Sequence, residues 1–556
     1  MRRCHFQNFM TQFRVANFRG LRPVHWWRLA LAVAVGTAGL AGSARADTSD
    51  PAVRSLIGTL LQKGIISDDE AGKLQSQMDS QQTNAPVPTP NSIWKINPGI
   101  KDLELYGDLR TRFENRSELD PSADKVELQR FRYSARLGIR GEALDDFYYG
   151  FRVETASNAR STFVTMGTSA SGIPYQGPYG KSTAGINIGQ VYIGWHPESW
   201  LDLTVGKMAN PLYTTTMLWS RNINPEGLAE RFHYSVGQVS FFANFGQFLY
   251  QDANPVVESP DLGLGAPGYL GNGNNIFQVA WQSGLNYQIT TNTSFKVAAT
   301  LYEYYGLQPT TSSAGLPPYF SDTYVGEGAY AGPGTAFGNY GNSGYQSPAI
   351  STLTPLTGAY IYGYPNNQVG INNLEVVEIP FEFNFKISQL DARIFGDGAY
   401  NFDGAARAEA AQAAYANYVT QVNPNNGGVF SAQTHDVKAY QIGFALGNQG
   451  SLGLANGGGE ARKHAWEVRA FWQHVEQYAL DPNLLDLDVF AAAENMQGIY
   501  AEAAYGFSQN FIGAFHYGYA TRINDKLGTG GTGTDIPQIN PINQFELFQL
   551  DLTFKF

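Results

Sequence analysis

Seven arginines are the residues most able to do chemistry in this chain. Arg110 and Arg112 lie two apart in one stretch; Arg130, Arg132, Arg136 and Arg140 share even spacing in the next; Arg152 stands in a third. Even spacing places side chains on one face of an extended strand. The alternate positions are greasy: Leu109 and Phe113, then Phe131, Tyr133, Leu137 and Ile139, then Phe147, Tyr149, Phe151 and Val153. Guanidiniums facing hydrocarbon would cost about 2–4 kcal/mol each near a bilayer midplane, so this row must face inward, to water. Further on, Glu378, Glu382, Asp391 and Asp397 have inward spacing in two later stretches. A basic wall opposite an acidic wall would set a transverse field that favours polar solutes and slows ions according to their charge. The competing reading is local: the arginines pair with Asp108, Glu114 and Glu154 and stiffen the wall. Arg393 and Lys386 sit among the acids and blur the contrast.

Catalytic signals are sparse, and no catalytic residue is assigned. Past the first 46 residues the histidines are His196, His233, His435, His464, His474 and His516. His474 and His516 are expected on neighbouring strands, but neither a GxSxG elbow nor an HExxH helix is present. An outer-membrane hydrolase is therefore the weaker alternative, as is a soluble exported β-rich binding protein. No metal site and no cofactor is expected; Glu118-Leu119-Asp120 reads as a solvated loop rather than a calcium site.

The elements that must position these residues are strands. The clearest is Leu547–Phe556. Phe548, Leu550, Leu552, Phe554 and Phe556 occupy one face, and Gln549, Asp551, Thr553 and Lys555 the other. Such a strand, ending on an aromatic, is expected to pair with the first strand and close a transmembrane antiparallel β-barrel with no edge left open to lipid. Those five residues are expected to be its C-terminal assembly signal, read by the barrel-assembly machinery. Alternation from 103 onward gives about 16 strands (14–18), an even number. Short connections such as Thr290-Thr291-Asn292, Ser388 and Ser508-Gln509 alternate with long ones such as 157–188, 305–373 and 478–494. That asymmetry fits periplasmic turns and extracellular loops. The joins at 207–225 and 450–462 are the least defined. The 305–373 loop is read either as a surface cover or as a constriction folded into the lumen.

Residues 1–46 read as a signal peptide, with basic residues, an apolar run from Leu29 to Leu40, and Ala44-Arg45-Ala46 before Asp47. Seven of the 37 Lys and Arg lie there and none of the 48 acids, so the remainder carries a net −18. That charge argues against nucleic acid as a partner. The lone cysteine, Cys4, lies in the same segment, so the exported chain needs no disulfide. Residues 47–80 read as a short periplasmic helical segment, 81–98 as a Pro/Gln-rich linker and 99–556 as the barrel.

Several stretches resemble a known family. They are Arg136-Leu137-Gly138-Ile139-Arg140-Gly141 running on to Gly150-Phe151-Arg152-Val153-Glu154-Thr155, then Gln190–Trp195, Leu203–Pro211 and Asn224–Ala229. Together with the helical preface and the terminal strand, they resemble the "putative porin" family of Gram-negative outer-membrane proteins. The resemblance implies a water-filled channel for passive diffusion of small polar or charged solutes. It implies outer-membrane lipid and lipopolysaccharide as surroundings and a homo-trimer as an assembly to test. It carries no catalytic residues, and residues 305–434 match nothing in it.

Overall fold

The computed structural model describes residues 99–119, 123, 125–144, 146–156, 160–167, 186–251, 276–305, 374–409, 435–456, 459–525, 527, 529 and 542–556. The signal segment, the 47–80 helical segment, the 81–98 linker and the 305–373 loop beyond Tyr305 lie outside the described residues.

Sixteen antiparallel strands form a closed barrel. They are β1 Glu104–Leu119, β2 Lys125–Ala143, β3 Phe147–Thr155, β4 Ile186–Glu198, β5 Leu201–Lys207, β6 Glu226–Val236, β7 Val239–Gln251 and β8 Ile276–Thr290. There follow β9 Thr293–Tyr305, β10 Glu375–Ile387, β11 Leu390–Asn401, β12 Lys438–Asn448, β13 Trp466–Val475, β14 Met496–Gly506, β15 Phe511–Arg522 and β16 Gln544–Lys555. β10 is one strand in two parts, Glu375–Glu378 and Phe381–Ile387, because Pro380 has no N–H to give the ladder. Val164 and Thr165 pair onto β2 but belong to the connection after β3.

Closure is made by the terminal strand. β16 pairs with β1 from Leu119↔Gln544 to Asp108↔Lys555. Phe556 then exchanges both backbone hydrogen bonds with Gly107, at 3.0 and 3.1 Å. A Cβ on Gly107 would stand 2.7 Å from the Phe556 ring, so the glycine makes room for that ring.

The wall buries its charged side chains inward and exposes apolar ones outward. Inward Glu114 is fully buried, while outward Phe131 is 62% exposed. Leu109, Ile193, Val205, Trp281, Leu550 and Phe554 share that outward exposure. An apolar band of this kind suits lipid rather than water. The short connections lie at one end: 199–200, 237–238, 291–292, 388–389 and 507–510. Gly237 takes φ +59°, as a tight hairpin requires. The poorly defined join at 450–462 proves to be this end's longest connection. It seats Leu454 against Ala465, Ala504 and Ile512.

The apolar core lies inside the barrel, and two connections build it. The 208–225 segment brings Leu212, Met217, Leu218 and Trp219 inward against Phe248 and Tyr302 of the wall. The 476–495 segment brings Leu480, Leu484, Leu485 and Leu487 to the same cluster. Its Val489, Phe490, Ala491 and Ala493 pack on Phe395, Phe471, Tyr500 and Phe545. Phe490, Ala491 and Ala492 all hold positive φ, between 51° and 60°. Such residues cost about 1–2 kcal/mol each, and the surrounding burial must hold them there.

Candidate functional site

The arginines of β1, β2 and β3 do stand in a ladder, with carboxylates interleaved. At the short-turn end Arg140 donates to Glu104 at 2.6 Å, and both are exposed. One step further in, Arg110 and Arg136 share Asp108, each with a 2.8 Å bond from Nε. Arg152 reaches Glu154 at 2.9 Å. At mid-height Glu114 accepts from Arg130 at 2.7 Å, with Arg132 at 3.6 Å and Arg116 at 3.7 Å. Arg112 makes paired bonds to Asp551 of β16 at 2.7 Å. It makes two more to Asp488 of the 476–495 segment at 2.8 Å. Its guanidinium also lies 4.0 Å from the centre of the Phe163 ring. Arg132 donates to the Phe163 carbonyl at 2.7 Å. The 160–167 segment thus covers the upper ladder.

On the other side Glu378 and Asp397 are buried beneath the 208–225 segment. Thr214 Oγ1 donates to Glu378 at 2.5 Å, and Tyr302 donates to its other oxygen at 2.7 Å. Thr215 Oγ1 donates to Asp397 at 2.5 Å. Nearer the short-turn end, Glu382 lies 3.5 Å from Arg393 and Asp391 lies 3.3 Å from Lys386. The two acids closest to the centre therefore hold a loop, and the outer two meet local cations. The strand spacing that puts them inward cannot reveal a threonine pair arriving from another part of the chain.

The 476–495 segment reaches from wall to wall. Asp488 is fixed on β1 through Arg112, and Gln549 of β16 donates to it at 3.1 Å. Seven residues earlier, Asp481 accepts from Tyr250 of β7 at 2.6 Å and Tyr304 of β9 at 2.8 Å. β9 lies eight places from β1 in a ring of sixteen, so these anchors stand on opposite walls. Arg160 donates to the Pro482 carbonyl at 2.6 Å, and Ser220 N donates to the Leu484 carbonyl at 2.6 Å. The two inward segments are thus joined to each other across the lumen.

The histidines do not assemble a catalytic set among the described residues. His474 lies on β13 and His516 on β15, the strand positions expected from sequence, but β14 stands between them, so they are not neighbours. His474 faces outward, stacked on Tyr440 at 4.8 Å. His516 faces inward, its ring nitrogens 3.3 Å from Glu502 and 3.5 Å from Asp551.

The profile of the family described as "Putative porin" matches residues 103–556, the whole barrel. The chain belongs to this family. No curated protein sequence matches. Among solved structures, the chain is similar to OmpT of Vibrio cholerae at 10% identity, over 82% of this chain and 97% of that one, with a TM-score of 0.36. It is also similar to an anion-selective porin from Comamonas acidovorans at 9% identity, over 82% and 99%, with a TM-score of 0.37. A third is Salmonella typhi OmpF in complex with daunomycin, at 8% identity, over 83% and 100%, with a TM-score of 0.37. The porin resides in the outer membrane of Gram-negative bacteria.

In this porin the bridging segment has its own response to pH. Burial works against ionising Asp488, but the Arg112 guanidinium prevails and holds its carboxyl well below the usual carboxylate range. That contribution is present above the unfolded carboxyl's pKa, about 3.9, and is lost only as pH falls through the lower folded value. Asp486 and Glu494 behave oppositely. Burial pushes both carboxyls up, and the Asp488 charge adds to the effect at Asp486. The docked segment then holds more protons than a released one, so docking weakens as pH rises past the ordinary carboxylate range. Limited proteolysis within 476–495 is expected to be slower at pH 5 than at pH 8. Faster cleavage at pH 5 would contradict this assignment.

Proposed function

We propose that this porin is a non-enzymatic channel for passive diffusion of small polar or charged solutes, its passage narrowed by the 208–225 and 476–495 segments. The observation that carries this reading is a sealed barrel whose interior is crossed by the 476–495 segment, anchored on both walls. Selectivity in such a lumen comes from width and local charge. The arginine ladder, with Arg110, Arg112, Arg130, Arg132, Arg136, Arg140 and Arg152, stands on one wall and Glu378, Glu382, Asp391 and Asp397 on the other, where the 208–225 segment covers Glu378 and Asp397. Interleaved counter-charges weaken any field between them. Purified protein added to a planar bilayer should give discrete conductance steps. A folded, inserted barrel that passes no ions would reject the channel.

The outer face fits outer-membrane lipid, with lipopolysaccharide in the outer leaflet. A hollow of about 580 Å³ on that face, lined by Phe113, Phe131, Ala503, Phe515 and Leu550, has room for an acyl chain. We assign the assembly signal to Phe548, Leu550, Leu552, Phe554 and Phe556, because the Phe556–Gly107 bonds finish the seam. Deleting Phe556 should lower the amount of assembled barrel several-fold on semi-native gels, and an unchanged yield would remove that role. A homo-trimer is the assembly we favour, and cross-linking in native membranes tests it.

A further inference from the structure

The strongest unexplained feature is a cavity of about 440 Å³ between the start of the 208–225 segment and the short-turn end of the barrel. Its wall carries basic groups from three separate strands: His196 of β4, Arg231 and His233 of β6, and Lys296 of β9. Its floor is apolar and aromatic, from Pro211, Leu212, Tyr213 and Phe242. Cavities of this size that combine an apolar body with a few convergent polar groups are the usual form of small-molecule sites.

The one carboxylate of the lining, Asp202, is already engaged. Arg231 donates to it, Tyr148 donates to it at 2.6 Å, and His196 Nδ1 lies 3.7 Å away. His196 is held flat on the Tyr148 ring at 4.6 Å. Lys296 differs from these. Its cross-strand neighbour on β10 is Glu382, which lies instead at 3.5 Å from Arg393. Among the described residues no carboxylate lies within 4 Å of the Lys296 ammonium, and the Glu382 charge reaches it only from further away. Its ammonium rests over the Tyr213 ring at 3.8 Å and the Phe242 ring at 5.4 Å. A half-buried ammonium resting on two rings has donors left for an incoming anion, and the rings offer that anion's body an apolar surface.

We propose that this cavity is a binding subsite for small organic carboxylates with an apolar or aromatic body. Lys296 takes the carboxylate, Arg231 and His233 of the same lining offer further N–H donors, and Tyr213 and Phe242 receive the body. The inference rests on the channel reading for its purpose, because a subsite at one end of the lumen would concentrate such solutes at the constriction. Its chemistry can be tested without current.

Binding of benzoate to the detergent-purified barrel, followed by calorimetry, is compared with binding of benzamide, a neutral molecule of nearly the same shape. Benzoate is expected to bind about tenfold more tightly, and Lys296→Gln is expected to weaken benzoate about tenfold while leaving benzamide nearly unchanged. Lys386→Gln, which removes a lysine paired with Asp391 elsewhere in the lumen, should leave benzoate affinity unaltered. Equal affinity for the two ligands in the native protein overturns the proposal, as does undiminished benzoate binding by Lys296→Gln. In bilayers, a barrel that binds benzoate selectively but passes no current keeps the subsite and removes the channel. A conducting barrel that treats both ligands alike does the reverse.

Discussion

Replacing Arg112 with Ala is expected to destabilise the folded barrel by about 3–5 kcal/mol, the cost of breaking a buried ion pair from one side. Arg112 is the meeting point of three parts of the chain. It binds Asp551 of the closing strand, Asp488 of the bridging segment and the face of Phe163. Its removal leaves two carboxylates short of their main partner. Asp551 keeps His516 at 3.5 Å, and Asp488 keeps the weaker amide donor of Gln549. The bridging segment should therefore release first, with the barrel still closed. Two readouts follow: a lower midpoint in urea or heat-modifiability assays, and a larger, noisier single-channel conductance. Arg112→Lys should fall between, because an ammonium keeps the charge but cannot make the parallel pair of bonds to Asp551 while also reaching Asp488. Arg140→Ala is the contrast, since its pair with Glu104 is exposed and such pairs contribute about 0–1 kcal/mol. Equal effects at 112 and 140 would refute the role given to Arg112.

The second large effect is expected from Thr214→Val combined with Thr215→Val. Valine nearly matches threonine in volume but lacks the hydroxyl. Each change removes a donor from a buried carboxyl group, Glu378 or Asp397, and leaving a buried acceptor unsatisfied costs about 1–3 kcal/mol. Tyr302 still serves Glu378. Asp397 has one oxygen already without a hydrogen bond among the described residues, so it is left worse off. The 208–225 segment should lose its hold on β10 and β11. Trp219, buried in the docked segment, should become accessible to a soluble fluorescence quencher. Conductance should rise with it. A double variant with native quenching and native conductance would mean that the apolar contacts of Leu212, Met217 and Leu218 suffice without those hydrogen bonds.

The barrel was legible in the sequence because lipid outside and water inside impose a strict period of two. Phe548 through Phe556 and the 130–140 run show that period without interruption, and β16 does pair with β1 as the pattern requires. The inward face of the arginines was legible for the same reason. What they touch was not. Asp488 stands 376 residues from Arg112, and Thr214 stands 164 from Glu378. No periodicity links partners that meet only when a connection folds back into the lumen. The 208–225 join was hard to read because it does not alternate and carries a single charge, Arg221. Its signal lay in Leu212, Met217, Leu218 and Trp219, an apolar cluster that a solvent-exposed loop would not need. The 478–494 stretch carried the same mark in Leu480, Leu484, Leu485, Leu487, Val489 and Phe490.

A hollow cylinder of sixteen strands in a bilayer is squeezed from all sides, and a thin-walled tube under such load gives way by flattening into an ellipse. The Asp481–Asp488 stretch, tied to β7 and β9 at one end and β1 at the other, works as a crossbar against that deformation. On the channel reading proposed above, the same short piece of chain both narrows the bore and resists its flattening.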